Sequence, residues 1–425
     1  MKTDRFKDER ERETLLIAYD YCVLGLRGER LAKHRHISTA TLARRLQEAK
    51  KEGYISEAVF NVPSDALEGV YPYLYEVDLM EALQKHIGIE NLPNLFIVPS
   101  ASVEEKEKEP FINTERVGHA AAVRLLHHLE KKEMRTVGVS YGRTLRYMVN
   151  KVQESVISAE QREKPVKWVP IFGDFSLTPE IYFEYYGFQA TILAADITRT
   201  LHGDAANRFF LTTPAYVPRD FMKGADEEEM ERRRHMARKL VEAIPVHRKI
   251  FGVSDGSTER DPNALMAQID TIITGMGGLS KSGEIGGSLG SPRAEGGADV
   301  LRFPGAIYTD EEREHLKKEG VVGDLCGPYI TEDKVDGFPD HSIIERVNRR
   351  FLGATPKDFQ RCAARAREEN TPGVILVGDS ASKARAVASA ITNRCVTELI
   401  CDSDLALELA KIKKIHIDAV GNGIR

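Results

Sequence analysis

The sequence predicts an α/β protein in which a small N-terminal winged helix-turn-helix module precedes a larger domain built on a parallel sheet. Three observations carry this expectation. The stretch from Leu26 to Tyr54, LRGERLAKHRHISTATLARRLQEAKKEGY, has the spacing of two short helices about a tight turn and concentrates positive charge. From Asn94 onward, short apolar runs alternate with helical patterns, as in a parallel sheet covered on both faces. At 425 residues the chain is too long for one ordinary domain.

Composition bounds the rest. With 42% hydrophobic and 29% charged residues, the chain has the make-up of a globular protein with ample core material. No apolar run approaches the ~20 residues of a membrane span, so no membrane partner is expected. The N-terminus, MKTDRFKDERERE, alternates charges without an apolar segment, so it is not read as a signal peptide. Cys22, Cys326, Cys362, Cys395 and Cys401 are odd in number and lack metal-ligand spacing, which points to a reducing cytoplasm and to no bound metal.

The elements follow in order. Thr14 to Leu24 reads as a helix that packs over the helix-turn-helix. Gly25 and Gly28 punctuate the entry, Leu31 and Ala32 give a first short helix its apolar contacts, and His34, Arg35 and His36 form a polar turn. Ser38 stands where an N-cap belongs, because its hydroxyl accepts from a free backbone N–H of the next turn. Leu42, Leu46 and Ala49 then mark a buried stripe, which turns Thr39, Thr41, Arg44, Arg45 and Gln47 outward. Lys50 and Lys51 close the last turn before Gly53. Short polar side chains early and cations late suit a helix whose N-terminal end enters a major groove. Ser38, Thr39, Thr41, Arg44, Arg45 and Lys50 are therefore the expected contacts to a double-stranded DNA operator.

Charge supports this locally. Arg27 to Lys51 carries eight Lys and Arg against two Glu, a balance of +6 in a chain of formal charge −5. Cations on phosphate position a protein on DNA, and base-edge contacts choose the sequence. The bland alternative is a helical hairpin with a solvated basic face. Tyr54 to Val62 alternates apolar and polar residues as a β wing would, so residues 1–62 make the DNA-binding module. Residues 63–90 form a linker with Pro63 and Pro72 and a helix over Leu74 to Ile87. That helix either aligns two copies or opens the next domain, which takes residues 91–425.

In that domain NLFIVP, TVGVSYG, KWVPIFG, ATILAAD, KIFGVSD, DTIITGMGG, GVILVGD and VTELICD read as strands, most ending in Gly, Asp or Ser. Ligands of parallel sheets bind outside the carboxyl ends of the strands, where these endings fall. In TVGVSYGRTLRYMVN a strand runs into Tyr141, Gly142, Arg143 and Thr144 and then into an amphipathic helix. Gly142 allows close backbone approach, and the helix-start N–H groups with Ser140, Thr144 and Arg143 would face an anion or polyol. The segment is neither a P-loop nor a dinucleotide turn.

The order of parts resembles the SorC family of sugar-responsive bacterial transcriptional regulators. ISTATLARRLQEAKKEGYI resembles its DNA-reading helix, GVSYGRTL its effector loop, and ITGMGGL its Gly-rich strand ending. GVVGDLCG with DKVDG, and VILVGDSASKARAVASAI with VTELICDSDLALEL, resemble its later signatures, so the likeness runs along almost the whole chain. It implies a Rossmann-like effector domain, similar to sugar-phosphate isomerases and deaminases, that binds a sugar or phosphosugar without turnover, with no catalytic residue and no cofactor. Carried onto this sequence, Ser140, Tyr141, Gly142, Arg143 and Thr144 would meet the effector or its phosphate, with Gly275 and Gly277 beside them. Asp324 would accept from hydroxyls, and Lys383 would pair with an anionic or aldehyde group. The chain departs from the pattern at Phe172 and Asp174. Asp174 would repel a phosphate, which leaves room for a neutral or cationic ligand.

Extra length falls at Asp226 to Lys239, read as a solvated helix of alternating charge, and at Lys281 to Gly297, a Gly-rich loop or a lid over the ligand. His127 and His128 are helix neighbours pointing to different faces and cannot form an i, i+4 metal pair. Tyr182, Phe183, Tyr185 and Tyr186 form an aromatic cluster that is core, a subunit interface or a sugar platform. The resulting expectation is a cytoplasmic, effector-controlled regulator acting as a homodimer or homotetramer. The competing class is a sugar or sugar-phosphate isomerase or deaminase of the same fold; a plain partner-binding scaffold would give the polar strand endings no reason to converge.

Overall fold

The computed structural model describes residues 9–24, 26–56, 59–60, 76–88, 90–131, 133–155, 157, 161–162, 166–174, 186–203, 208–218, 221, 227–252, 261–278, 310–325, 327–339, 342–369 and 371–415. At the N-terminus lie helices α1 (Glu9–Cys22), α2 (Gly28–His34) and α3 (Thr39–Lys51), then strands β1 (Ile55–Ser56) and β2 (Val59–Phe60), which pair antiparallel with Ile55 opposite Phe60. Leu15, Leu16 and Tyr19 of α1 are buried, as are Leu31 of α2 and Leu42 and Ala49 of α3. Spacing of three and four residues puts such positions on one helix face. The turn between α2 and α3 is clamped by Asp20, almost wholly buried, whose carboxylate accepts both Nε and Nη2 of Arg35.

Six further strands form one parallel sheet. They are β3 (Asn94–Val98), β4 (Thr136–Val139), β5 (Lys167–Pro170), β6 (Thr271–Thr274), β10 (Gly373–Gly378) and β11 (Glu398–Asp402), in the order β3-β11-β10-β6-β4-β5. Apart from Lys167 of β5 and Asn94 and Phe96 of β3, their side chains are buried on both faces, which is why the runs read as continuously apolar. A small antiparallel sheet of β7 (Gly277–Gly278), β8 (Val321–Asp324) and β9 (Tyr329–Thr331) sits beside the ends of the larger one.

Helices cover the parallel sheet. α4 (Val77–Ile87) buries Leu79, Leu83 and Ile87 in the same core as Leu95 and Ile97 of β3, so it opens the sheet domain. α5 (Val103–Lys108), α6 (Ile112–Glu130) and α7 (Arg143–Glu154) follow β3 and β4. Two expected strands are helical instead. ATILAAD opens α8 (Ala190–His202), where Ala190, Leu193, Ala194, Ile197 and Leu201 keep helical spacing and are buried. KIF closes the helix Pro245–Phe251, with proline in its first turn and Gly252 at its end.

The charged segment expected to be solvated forms α9 (Glu227–Glu242), but one face is packed. Val241 shares a small core with Val217 and Leu352, and Arg234 is nine-tenths buried. The Gly-rich 281–297 stretch, Gly25, Cys326, and Tyr182, Phe183 and Tyr185 lie outside the described residues. The remaining helices used below are α10 (Pro356–Glu369), α11 (Ala384–Thr392) and α12 (Ser403–Ile412).

The N-terminal helices do not stand apart from the sheet domain. Leu15, Leu16, Tyr19 and Val23 share a core with Val117, Ala120 and Ala121 of α6 and Met148 and Val152 of α7. Among the described residues no helix is long and apolar enough to cross a membrane, and no group of three or more His, Cys, Asp or Glu is placed to hold a metal ion.

Candidate effector crevice and nucleic-acid interface

Four strands of the parallel sheet hand the chain to a polar residue at the same end. β4 delivers Ser140, β6 ends in Thr274 before Gly275, β10 delivers Asp379, and β11 ends in Asp402. β8 brings Asp324 to that end through its pairing with β7, where Asp324 stands opposite Gly277. Glycine makes this approach possible at Gly278, since a Cβ there would lie 2.6 Å from the Cα of Lys383. Lys383 thus comes beside Asp324, and its ammonium donates to Asp379 Oδ1 at 2.6 Å.

The polar groups form a satisfied network. The Thr114 hydroxyl donates to Asp379 Oδ2 at 2.6 Å, and Asn113 Nδ2 donates to Asp402 Oδ2 at 2.8 Å, so the first turn of α6 closes the site from above the sheet. Asp402 also accepts from the backbone N–H groups of Ser380 and Leu405, the latter as the N-cap of α12. Ser380 has φ +80°, a costly conformation for a non-glycine residue, held by these bonds. The Thr274 hydroxyl donates to Ser140 Oγ at 3.1 Å.

Two carboxyls are tuned toward neutrality. Burial pushes Asp324 up to about 7, against the Gly327 N–H at 2.9 Å and the Tyr141 hydroxyl at 3.4 Å. Burial, with the neighbouring Asp379 charge, also pushes Asp402 up to about 7. A carboxyl poised there donates or accepts a hydrogen bond according to pH, the property that suits it to a ligand hydroxyl.

Of the expected effector residues, the structure brings together Ser140, Tyr141, Gly275, Gly277, Asp324 and Lys383. Ser140 is buried and spends its hydroxyl within the network, on Thr274 and the Tyr141 carbonyl. The Gly142 N–H is not free for an anion, because it donates to the Phe188 carbonyl at 3.0 Å. Thr144 is buried in the first turn of α7. The Arg143 guanidinium lies 3.8 Å from the Phe111 ring centroid and 5.9 Å from that of Phe188, a cation–π seat that fixes its direction. Phe172 packs on Tyr141 with ring centroids 4.8 Å apart, and Asp174 accepts from Gln189 at 2.8 Å. No sequence motif marks Asn113, Thr114, Thr274, Asp379 or Asp402 as site residues. The Gly-Asp-Ser and Cys-Asp-Ser strand endings were the available signal for the two aspartates, whereas nothing local marks Thr114.

On the N-terminal module, Ser38 caps α3 by accepting the Thr41 N–H at 3.1 Å. Ser38, Thr39, Arg44 and Lys50 are exposed and Thr41 is partly so. Arg45 corrects the expected outward face: it is 9% exposed, and its guanidinium donates to Glu13 at 2.6 Å and Glu48 at 3.0 Å. The helical phase that puts Leu42 and Ala49 in the core turns Arg45 inward as well, and α1 supplies the carboxylate that neutralises it.

No protein-family model matches the chain, and no curated protein matches it. Solved structures do resemble it. The full-length sorbitol operon regulator SorC from Klebsiella pneumoniae is similar at 17% identity and TM-score 0.48, over 94% of this chain and 98% of that one. A probable sor operon regulator from Shigella flexneri is similar at 15% identity and TM-score 0.48, over 80% of this chain and 98% of that one. A transcriptional regulator from Streptococcus pneumoniae is similar at 16% identity and TM-score 0.47, over 80% and 99%. Many of the solved structures similar to this chain are of SorC- or DeoR-type transcriptional regulators, at identities of 13–17%.

Proposed function

We propose that the protein is an effector-responsive transcriptional regulator that reads an operator with α3 and binds a sugar or sugar derivative at the carboxyl ends of the parallel strands. The observation that carries this reading is the capped helix α3, which leaves Thr39, Arg44 and Lys50 exposed on its outer side. The mechanism is differential binding. A ligand that favours one arrangement of the crevice favours one placement of the reading helices, and that placement fits or misses two half-sites. Symmetric half-sites call for a homodimer or homotetramer, acting in the cytoplasm.

Within the crevice, Asp324 and Asp402 act as partners for ligand hydroxyls, Lys383 with Asp379 orients an electron-rich group, and Arg143 offers a fixed cation at the rim. Selection of bound sequences from random DNA at fixed salt, repeated with a panel of sugars and sugar phosphates, tests the whole reading. Enrichment of an inverted repeat that changes with one sugar supports it. Failure to enrich any sequence sinks it.

One observation favours a second reading. Asp324, poised near neutral pH close to Lys383, is a suitable general acid–base pair for a sugar isomerase or deaminase. Turnover of the same sugar panel by the protein without DNA separates the two readings.

A further inference from the structure

We infer that helices α6 and α7 form a rigid strut that reaches from the crevice to the C-terminal end of α1, which His119 and Lys151 hold, and so carries a change in the crevice to the helix-turn-helix. Each helix makes contact in both places. On α6, Thr114 donates to Asp379 in the crevice, and five residues on, His119 Nδ1 lies 2.8 Å from the Val23 carbonyl. On α7, Arg143 and Thr144 stand at the rim, and Lys151 Nζ donates to the Cys22 carbonyl at 2.7 Å. At 1.5 Å per residue, Arg143 and Lys151 are about 12 Å apart along the helix.

Four features make this a joint. The two carbonyls belong to the end of α1, where intrahelical partners run out, so the side chains act as its C-terminal cap. Lys151 is 6% exposed, and breaking its bond leaves a buried ammonium with the Glu154 carboxylate at 3.5 Å as its remaining partner. His119 donates as a neutral ring, because burial lowers it to about 4. Gly118 lets the two helices close on each other: a Cβ there would lie 2.7 Å from the Thr144 carbonyl oxygen and 2.7 Å from the Tyr147 Cβ. Packed backbones shift together rather than deform. Beyond α1, the clamp of Asp20 on Arg35 carries the position of α1 to the turn before α3.

The regulatory meaning of the strut rests on the proposed function, but its existence is testable without DNA or ligand. Thr114→Val breaks the crevice contact alone. Backbone hydrogen exchange is then read at Asp20–Leu24 and, as a report of global opening, at β10. With an intact joint, Thr114→Val should raise exchange at Asp20–Leu24 roughly fivefold, the lower end of allosteric coupling, and leave β10 unchanged. In the Lys151→Met/His119→Leu background the same substitution should add nothing, and Lys151→Arg with His119→Asn should restore the response. Should the double variant fail to fold, Lys151→Met alone, which keeps the aliphatic stem, should blunt the response. No change at Asp20–Leu24, an equal rise at β10, or the same rise without the joint would each overturn the inference. If the protein enriches no DNA sequence, the regulator reading fails and the exchange result still decides the strut.

Discussion

Arg45 donates to Glu13 across 2.6 Å, joining α3 to α1 through a pair set 32 residues apart. This divides the two adjacent arginines of α3 into different tasks. Arg44→Ala should weaken DNA binding and lower the slope of log affinity against log salt by about one, with the melting temperature unchanged. Arg45→Ala should lower stability by about 1 kcal/mol and affect DNA only as far as the module loosens. Salt-titrated mobility shifts and thermal melts of both variants check the assignment; a lost salt slope in Arg45→Ala with an unchanged melt would reverse it.

The buried network at the amino end of β11 should make stability depend on pH. Burial raises Glu398, but Arg124 and His128 outweigh it and hold it well below the usual carboxylate range. Burial lowers His128, and Glu398 and Glu133 outweigh that and raise it above 6.5. The Glu398 contribution is present above 4.5 and is lost as pH falls through its lowered value. The His128 contribution is present below 6.5 and is lost as pH rises through its raised value. Glu398→Gln should cost about 3–5 kcal/mol by leaving cations buried without their partner. His128→Gln should cost most below 6.5 and progressively less at higher pH, as read by denaturant titrations across the range.

In the crevice the sign is carried by acids. Asp324 lies at 3.8 unfolded and about 7 folded, so the native state holds the extra proton between those values and loses stability as pH rises through them. Asp324→Asn, locked in the neutral form, should flatten that decline. Melting curves from acid to neutral pH should converge with the wild type at low pH and lie above it near pH 8.

Gly118 predicts a packing failure. Gly118→Ala drives a methyl group against the Thr144 carbonyl, which is backbone and cannot swing away. The expected loss is about 1–3 kcal/mol, measured by chemical denaturation, where substitution at Gly187, which has neither a close contact nor a positive φ, serves as the control.

Arg143→Ala should remove the effector response while leaving operator affinity intact, because its guanidinium is seated on Phe111 at the crevice rim and lies outside the module. Operator binding with and without the responsive sugar reads this directly. Loss of DNA binding as well would make Arg143 a structural residue.

Periodicity made most elements legible. Eight apolar runs read as strands, and six of them, from NLFIVP to VTELICD, contain the strands of the parallel sheet. Burial on both faces leaves a continuous apolar string, which needs no partner to be recognised. The same rule misled at ATILAAD, because a short apolar run fits a buried helix equally well, and the spacing that decides it continues through Ile197 and Leu201. The N-cap at Ser38 was readable because capping acts over three residues.

Local chemistry along the chain thus decided the helix starts, the strand cores, the concentration of cations at the N-terminus and the polar endings of the strands. Tertiary structure alone decided which of those groups meet. Thr114 reaches Asp379 across 265 residues, Arg124 reaches Glu398 across 274, and Arg45 turns from the outer face of α3 to Glu13. The reason is physical. Propensity, capping and hydrophobic phase act within a few residues of sequence, whereas a buried charge takes its partner from whatever element the packing of the core brings within hydrogen-bonding distance.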